Sequence, residues 1–118
     1  MQRGIIVDDA HIMRLRLREI LEKEFAIVAE ATNGMEALQL FNEHAPDFLT
    51  LDITMPHMNG LETLKGILSA HPDARVVIVS AVGQKQVVFE ALEIGAKDFI
   101  VKPFDPERVL KSIRRLFG

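Results

Sequence analysis

Four short apolar runs constrain the fold of this chain most strongly, because each ends in a chemically reactive residue. In open α/β sheets, ligands bind at the carboxyl ends of parallel strands. If these runs are neighbouring parallel strands, three acids, a hydroxyl and an ammonium group meet at one edge. The runs are Gly4 to Val7 before Asp8 and Asp9, Phe48 to Leu51 before Asp52, Val76 to Val79 before Ser80, and Phe99 to Val101 before Lys102 and Pro103.

Helix-patterned segments alternate with the apolar runs, which is typical of repeated βαβ units and a parallel sheet. Because three of the strands are almost continuously apolar, we expect helices to cover both faces of the sheet in a three-layer sandwich. The length of 118 residues suits one domain, residues 1–118. We predict five helices and five strands, the strands at Gly4–Val7, Ile27–Ala31, Phe48–Leu51, Arg75–Ser80 and Asp98–Val101.

The first helix is the ambiguous element, because Met13–Leu17 alternates apolar and basic residues as a strand would. The longer window from Met13 to Leu21 repeats apolar residues at helical spacing and favours a helix. We expect Asp9 to cap it. The other helices are predicted to start after Asn33-Gly34, Asn59-Gly60, Gly83 and Asp105-Pro106.

Composition excludes several classes of function. The chain has no cysteine, which rules out disulfides and thiolate metal sites. Its net charge of −3, without a basic patch, argues against nucleic acid as a partner. No apolar run reaches the roughly 20 residues that span a bilayer, and the first residues do not resemble a secretory signal. We therefore expect a cytoplasmic monomer that does not insert into membranes.

The acids at the predicted edge pose an electrostatic problem. Asp8, Asp9 and Asp52 would lie within several ångströms of one another, and each like-charge pair costs on the order of 4 kcal/mol at 4 Å and an effective dielectric near 20. The cluster must therefore take up protons or a cation. Carboxylates with a backbone carbonyl and water are the ligands that Mg²⁺ prefers, together with phosphate oxygens. The acids predict a Mg²⁺ site suited to phosphoryl chemistry.

Lys102 and Ser80 extend this prediction, because an ammonium and a hydroxyl at the same edge both bind phosphate oxygens. One carboxylate could then attack phosphorus in line and become an aspartyl phosphate. Asp52 is the preferred nucleophile because it ends the expected central strand, while Asp8 and Asp9 begin a loop suited to holding the ion. Spacing alone leaves the choice among the three acids open.

Five stretches together resemble the response-regulator receiver domain of the CheY type, and the resemblance extends over essentially the whole chain. It implies a flavodoxin-like (βα)5 fold with strand order 2-1-3-4-5 and phosphotransfer from a sensor histidine kinase. The stretches are Ile5-Ile6-Val7-Asp8-Asp9, Asp52-Ile53-Thr54-Met55-Pro56, Met58-Asn59-Gly60, Ser80-Ala81 and Lys102-Pro103-Phe104.

The resemblance also implies a role for each residue of the site. Asp52 is similar to the phosphoacceptor, and Asp8 and Asp9 to the pair that holds Mg²⁺ together with Asp52 and the backbone carbonyl of Thr54. Ser80 resembles the hydroxyl that moves toward the phosphoryl group. Lys102 resembles the site's cation, and the family makes the Lys102–Pro103 peptide bond cis.

Signal output is implied by the same resemblance. Phe99 resembles the aromatic switch residue that turns inward on phosphorylation, where many CheY-type chains carry tyrosine. Phe89 falls opposite the apolar stripe of the fourth helix and could anchor a partner near Phe99. We expect output through the fourth helix, fifth strand and fifth helix to a separate protein, such as a flagellar motor switch component or a phosphatase. A chain excised from a longer regulator is the alternative.

Three other functions compete with this signalling switch. A receiver-like adaptor could bind its partner without phosphorylation. An aspartyl-phosphate phosphatase of the haloacid dehalogenase type is disfavoured. Such enzymes carry an Asp-x-Asp motif after the first strand, whereas Asp8 and Asp9 are adjacent in this chain. A nucleotide or flavin binder is disfavoured because phosphate cradles use glycine-rich or hydroxyl-rich loops, whereas Asp8 and Asp9 would repel phosphate unless a metal intervened. We therefore expect self-phosphotransfer and autodephosphorylation, without a separate turnover substrate.

Overall fold

The structure, a computed structural model, describes residues 1–53 and 59–118. Strands and helices alternate through these ranges, and all strand pairs in the five-stranded sheet are parallel, in the order β2-β1-β3-β4-β5. The predicted topology is therefore confirmed. The elements are β1 (Arg3–Val7), α1 (His11–Leu21), β2 (Ala26–Ala31), α2 (Gly34–His44), β3 (Phe48–Asp52), α3 (Gly60–Ala70), β4 (Val76–Ala81), α4 (Lys85–Ile94), β5 (Asp98–Lys102) and α5 (Pro106–Arg115).

The helices form layers on both faces of the sheet. One core lies under α2, α3 and α4 and includes Leu51 and Ile78. The other lies under α1 and α5 and includes Val77 and Val79. Because successive strand residues point to opposite faces, the apolar run from Val76 to Val79 in β4 fills both cores. Within the described ranges, no helix is long and apolar enough to cross a membrane.

Strand register aligns the ends that carry the reactive residues. Asp52 lies beside Val79 of β4, and Ser80 lies beside Val101 of β5. Ala81 pairs with Lys102 on the next rung. Since Val7 pairs with Leu51, Asp8 follows β1 at the level at which Asp52 ends β3. The carboxyl ends of four strands therefore meet at one edge.

The capping prediction for α1 is wrong, whereas the segment is a helix as predicted. Ala10 occupies the N-cap position and offers no side-chain hydrogen bond. Asp9 lies one residue too early, and Asp8 Oδ1 instead accepts the Ala10 amide at 2.9 Å. The acid before the helix therefore orders the loop rather than the first helical turn. Side-chain caps are present at the other predicted polar starts, on Asn33, Asn59 and Asp105.

A glycine in β1 leaves room for an aromatic ring of β3. Gly4 pairs with Phe48 across the two strands, and a Cβ atom on Gly4 would lie 2.2 Å from the ring of Phe48. The Phe48 ring is fully buried, with the rings of Phe25 and Phe117 at centroid distances of 5.3 and 6.3 Å. The ring therefore fills the space that a side chain on Gly4 would need.

Candidate functional site

Three carboxylates converge where β1 and β3 end. One oxygen from each of Asp8, Asp9 and Asp52 lies within 4.8 Å of the other two. Asp8 and Asp52 are buried, at 1% and 7% exposure, whereas Asp9 is exposed. Burial strengthens the repulsion between the two inner acids because water screens them poorly. A positive charge near these acids would therefore stabilise the site.

Lys102 supplies part of that charge from the end of β5. Its Nζ lies 3.3 Å from Asp8 Oδ2 and 3.8 Å from Asp52 Oδ2. The ammonium thus bridges the two buried acids from one side. The peptide bond that follows, Lys102–Pro103, is cis.

We expect the substitution Lys102→Met to destabilise the metal-free protein. The Lys102 side chain is 24% exposed, so the loss should be on the order of 2 kcal/mol, below the roughly 3–5 kcal/mol typical of a fully buried pair. Mg²⁺ binding should tighten on the order of tenfold, because the ammonium no longer repels the ion. Urea unfolding in EDTA and calorimetric titration with Mg²⁺ measure the two effects.

Lys111→Met is the matched control, because it removes the same charge from an exposed position on α5. It should leave both the unfolding free energy and the Mg²⁺ affinity near their wild-type values. Weaker Mg²⁺ binding by Lys102→Met, or an equal response from Lys111→Met, would contradict the bridging role of Lys102.

Ser80 places an unpaired hydroxyl at the same edge. Its side chain is 1% exposed, and its Oγ has no hydrogen-bond partner among the described residues. A buried hydroxyl without a partner is costly, typically about 1–3 kcal/mol, so it is ready to bond an incoming group. Three acids, an ammonium and a free hydroxyl suit a phosphoryl group held beside a divalent cation.

The three acids fit the Mg²⁺ predicted from the sequence. Carboxylate oxygens clustered within 4.8 Å are hard donors of the kind this ion prefers. Asp8, Asp9 and Asp52 are the described residues that would hold it. The fourth predicted ligand, the backbone carbonyl of Thr54, lies outside the described residues.

Arg14 also contacts the candidate site, and nothing in the sequence indicated this contact. Its Nη1 donates a hydrogen bond to the backbone carbonyl of Asp8 at 2.8 Å. The Asp8 amide donates to the Ala31 carbonyl at 3.0 Å, so the main chain of Asp8 is held on both sides. The sequence shows that Met13–Leu17 contains basic residues, but it does not show which distant residues they contact.

The predicted output residues lie beside an apolar cavity of about 290 Å³ between α4 and β5. Phe99 is half-buried and lines this cavity together with Ser80. Phe89 lines it from α4 and is 57% exposed, in agreement with its position opposite the helix's apolar stripe. The cavity therefore extends from Ser80, at the carboxyl edge of the sheet, to the exposed ring of Phe89.

Comparison with known proteins agrees with this geometry. The family model for the response regulator receiver domain matches residues 5–114. The chain belongs to the response regulator receiver domain family. Its parallel sheet, strand order and five helices are those expected of a flavodoxin-like receiver.

Two similar relatives are chemotaxis proteins of almost the same length. The receiver is 47% identical to chemotaxis protein CheY of Thermotoga maritima over 116 residues, covering 98% of this chain and 97% of that protein. It is 49% identical to CheY of Bacillus subtilis over 114 residues, covering 96% and 95%. Among solved structures, the CheX-CheY-BeF3-Mg+2 complex from Borrelia burgdorferi matches with a TM-score of 0.94 and 39% identity, covering 99% of this chain and 90% of that chain.

Family membership disfavours the phosphatase and nucleotide-binder alternatives. Receivers of the CheY type are signalling switches in two-component systems rather than turnover enzymes. The adaptor alternative is also not favoured, because the clustered acids, Lys102 and Ser80 suit phosphoryl chemistry.

Proposed function

We propose that residues 1–118 form one receiver unit, which accepts a phosphoryl group on Asp52 with Mg²⁺ held by Asp8, Asp9 and Asp52. The observation that carries the proposal is the meeting of three carboxylates with Lys102 and the unpaired Ser80 hydroxyl. When bound, Mg²⁺ would neutralise phosphoryl oxygens and offset the repulsion among the acids. The Thr54 carbonyl would complete the ligand set.

The reaction is a single displacement at phosphorus. A carboxylate oxygen of Asp52 forms the new O–P bond, and the P–N bond to the kinase histidine breaks. The imidazole leaves with the electron pair of that bond, and it is neutral at the end of the step because its other ring nitrogen carries a proton throughout. Lys102 is within reach of the Asp52 carboxylate at 3.8 Å and would bind a phosphoryl oxygen as charge develops there.

Ser80 and Phe99 would convert this chemistry into a surface change. The buried Ser80 hydroxyl would donate to a second phosphoryl oxygen and move toward Asp52. Its movement would free space in the cavity that Phe99 also lines, so the ring could turn inward. The surface of α4, β5 and α5, with the exposed side chain of Phe89, would then change its affinity for an output protein.

The two CheY relatives support a role in chemotaxis or flagellar control. The proposed donor is a sensor histidine kinase, and the proposed receiver of the signal is a motor switch component or a phosphatase. The Borrelia burgdorferi CheY is recorded in a complex with CheX, which supports output by protein binding. The unit would act as a cytoplasmic monomer, with self-phosphotransfer and autodephosphorylation as its only chemistry.

Acetyl phosphate tests the proposal without a kinase. The wild-type chain should gain the mass of one phosphoryl group in the presence of Mg²⁺, and EDTA should prevent the gain. Intact-mass spectrometry measures the adduct. Hydroxylamine should remove it, because an acyl phosphate is cleaved where a serine phosphate is not. An adduct of equal yield in EDTA, or none with Mg²⁺, would contradict the proposal.

A further inference from the structure

Arg14, the fourth residue of α1, joins two separate parts of the chain. Its Nη1 donates to the Asp8 carbonyl at 2.8 Å, and its Nε donates to Glu30 Oε1 on β2 at 3.0 Å. The side chain is only 12% exposed. Because a guanidinium group is planar and its donors are fixed relative to one another, two such partners determine its orientation.

Glu30 is itself anchored. Its second oxygen accepts from Arg18 Nε at 2.6 Å, and Glu30 lies beside Ile6 of β1 in the sheet register. Burial, the largest single influence, would raise the pKa of Glu30, but hydrogen bonds from Arg18 and Arg14 outweigh it and lower the pKa below its ordinary value. Glu30 therefore stays ionised and keeps both arginines in place.

The carbonyl that Arg14 holds belongs to the peptide group between Asp8 and Asp9. The Asp8 amide is bound by the Ala31 carbonyl, and its carboxylate accepts from the Ala10 amide and from Lys102. These contacts fix Asp8 and restrict the loop up to Ala10, and the bond from Arg14 adds a direct contact to the peptide group between Asp8 and Asp9. Rotation of that peptide group would carry the exposed carboxylate of Asp9 away from the other two acids.

We propose that Arg14, oriented by Glu30, is a positioning residue that holds the Asp8–Asp9 peptide so that Asp9 faces Asp8 and Asp52 around a divalent cation. The inference rests on the proposed Mg²⁺ site and adds a residue outside its ligand set. Loss of a residue that orients a metal ligand commonly weakens metal binding by about 10–100-fold.

A positioning role and a simple charge effect predict opposite changes in Mg²⁺ affinity when Arg14 is replaced. The positive charge of Arg14 opposes a cation at the acidic cluster, so its removal alone would tighten Mg²⁺ binding. Loss of positioning would weaken binding instead. Arg14→Lys keeps the charge and loses the planar two-point contact, so it should weaken binding without an opposing electrostatic gain.

The experiment is calorimetric titration of Mg²⁺ into wild type, Arg14→Gln and Arg14→Lys. We expect Arg14→Lys to bind Mg²⁺ about tenfold more weakly. Arg14→Gln should lose less affinity, because removal of its positive charge partly offsets the lost positioning. At saturating Mg²⁺, the yield of the acetyl phosphate adduct should return close to that of wild type. Arg18→Gln is the matched control, because Arg18 also pairs with Glu30 but its other contacts are with Glu22 and the Ile27 carbonyl. It should weaken Mg²⁺ binding much less than the Arg14 variants do, because Glu30 keeps its bond to Arg14.

Urea unfolding of each variant establishes that the compared proteins are folded, and Arg14→Lys carries the comparison if Arg14→Gln does not fold. Unchanged or tighter binding by the Arg14 variants, or an equal loss in Arg18→Gln, would overturn the inference alone. A wild-type chain that binds no Mg²⁺ would overturn the proposed function and the inference together.

Discussion

Asp52→Asn should abolish the phosphoryl adduct that the wild-type chain forms with acetyl phosphate and Mg²⁺. The amide lacks the negative charge and the nucleophilic oxygen of the carboxylate, so attack on phosphorus is lost. We expect Asp8 not to replace it, because Asp8 is more deeply buried than Asp52 and its carboxylate accepts from the Ala10 amide and from Lys102. Intact-mass spectrometry after incubation should show unmodified Asp52→Asn protein at every Mg²⁺ concentration.

Asp9→Asn is the matched control for this prediction. It removes one negative charge from the same cluster but leaves the acceptor in place. Its adduct should still form, with a requirement for Mg²⁺ raised by about tenfold because one ligand is weakened. An undiminished adduct in Asp52→Asn would move the nucleophile to Asp8 or Asp9. Loss of the adduct in both variants at saturating Mg²⁺ would leave Asp52 without a distinct role.

The convergence of the acids with Lys102 and Ser80 could be predicted from the sequence because the signal was local. Each reactive residue directly follows an apolar run, and parallel strands bring their carboxyl ends to one edge. Periodicity and length indicated the strands and the two covered faces. The strand order, in contrast, came from resemblance to a family, since apolar runs alone do not say which strands are neighbours.

The parts that could not be predicted depend on contacts between distant residues. Asp9 has the residue type of a helix cap, but the bond from the Ala10 amide to Asp8 places the helix start one residue later. Arg14 reads as an ordinary exposed cation until β2 brings Glu30 beside it, 16 residues along the chain. Local preference is a weak guide where tertiary hydrogen bonds decide the geometry.

The contact between Gly4 and Phe48 is a third example of this kind, and it predicts a large effect on stability. Gly4→Ala should lower the free energy of unfolding by about 3 kcal/mol, at the upper end of typical overpacking costs. Three ring atoms of Phe48 lie within 2.6 Å of the new methyl position. The ring has little room to move, because it is fully buried and packs against Phe25 and Phe117. Urea unfolding of both proteins in EDTA measures the difference.

Gly66→Ala is the matched control, and Phe48→Leu tests whether a clash with the Phe48 ring causes the loss of stability in Gly4→Ala. A Cβ at Gly66 would lie 3.2 Å from the flexible end of Leu38, so its clash is small and the better helix propensity of alanine, about 1 kcal/mol, should offset it. Phe48→Leu alone should destabilise by leaving a cavity, but added to Gly4→Ala it should restore stability, because the smaller side chain makes room for the methyl group. The coupling energy of this pair should exceed about 1 kcal/mol. Additive losses in the double variant would mean that Gly4 matters for its backbone rather than for the ring it accommodates.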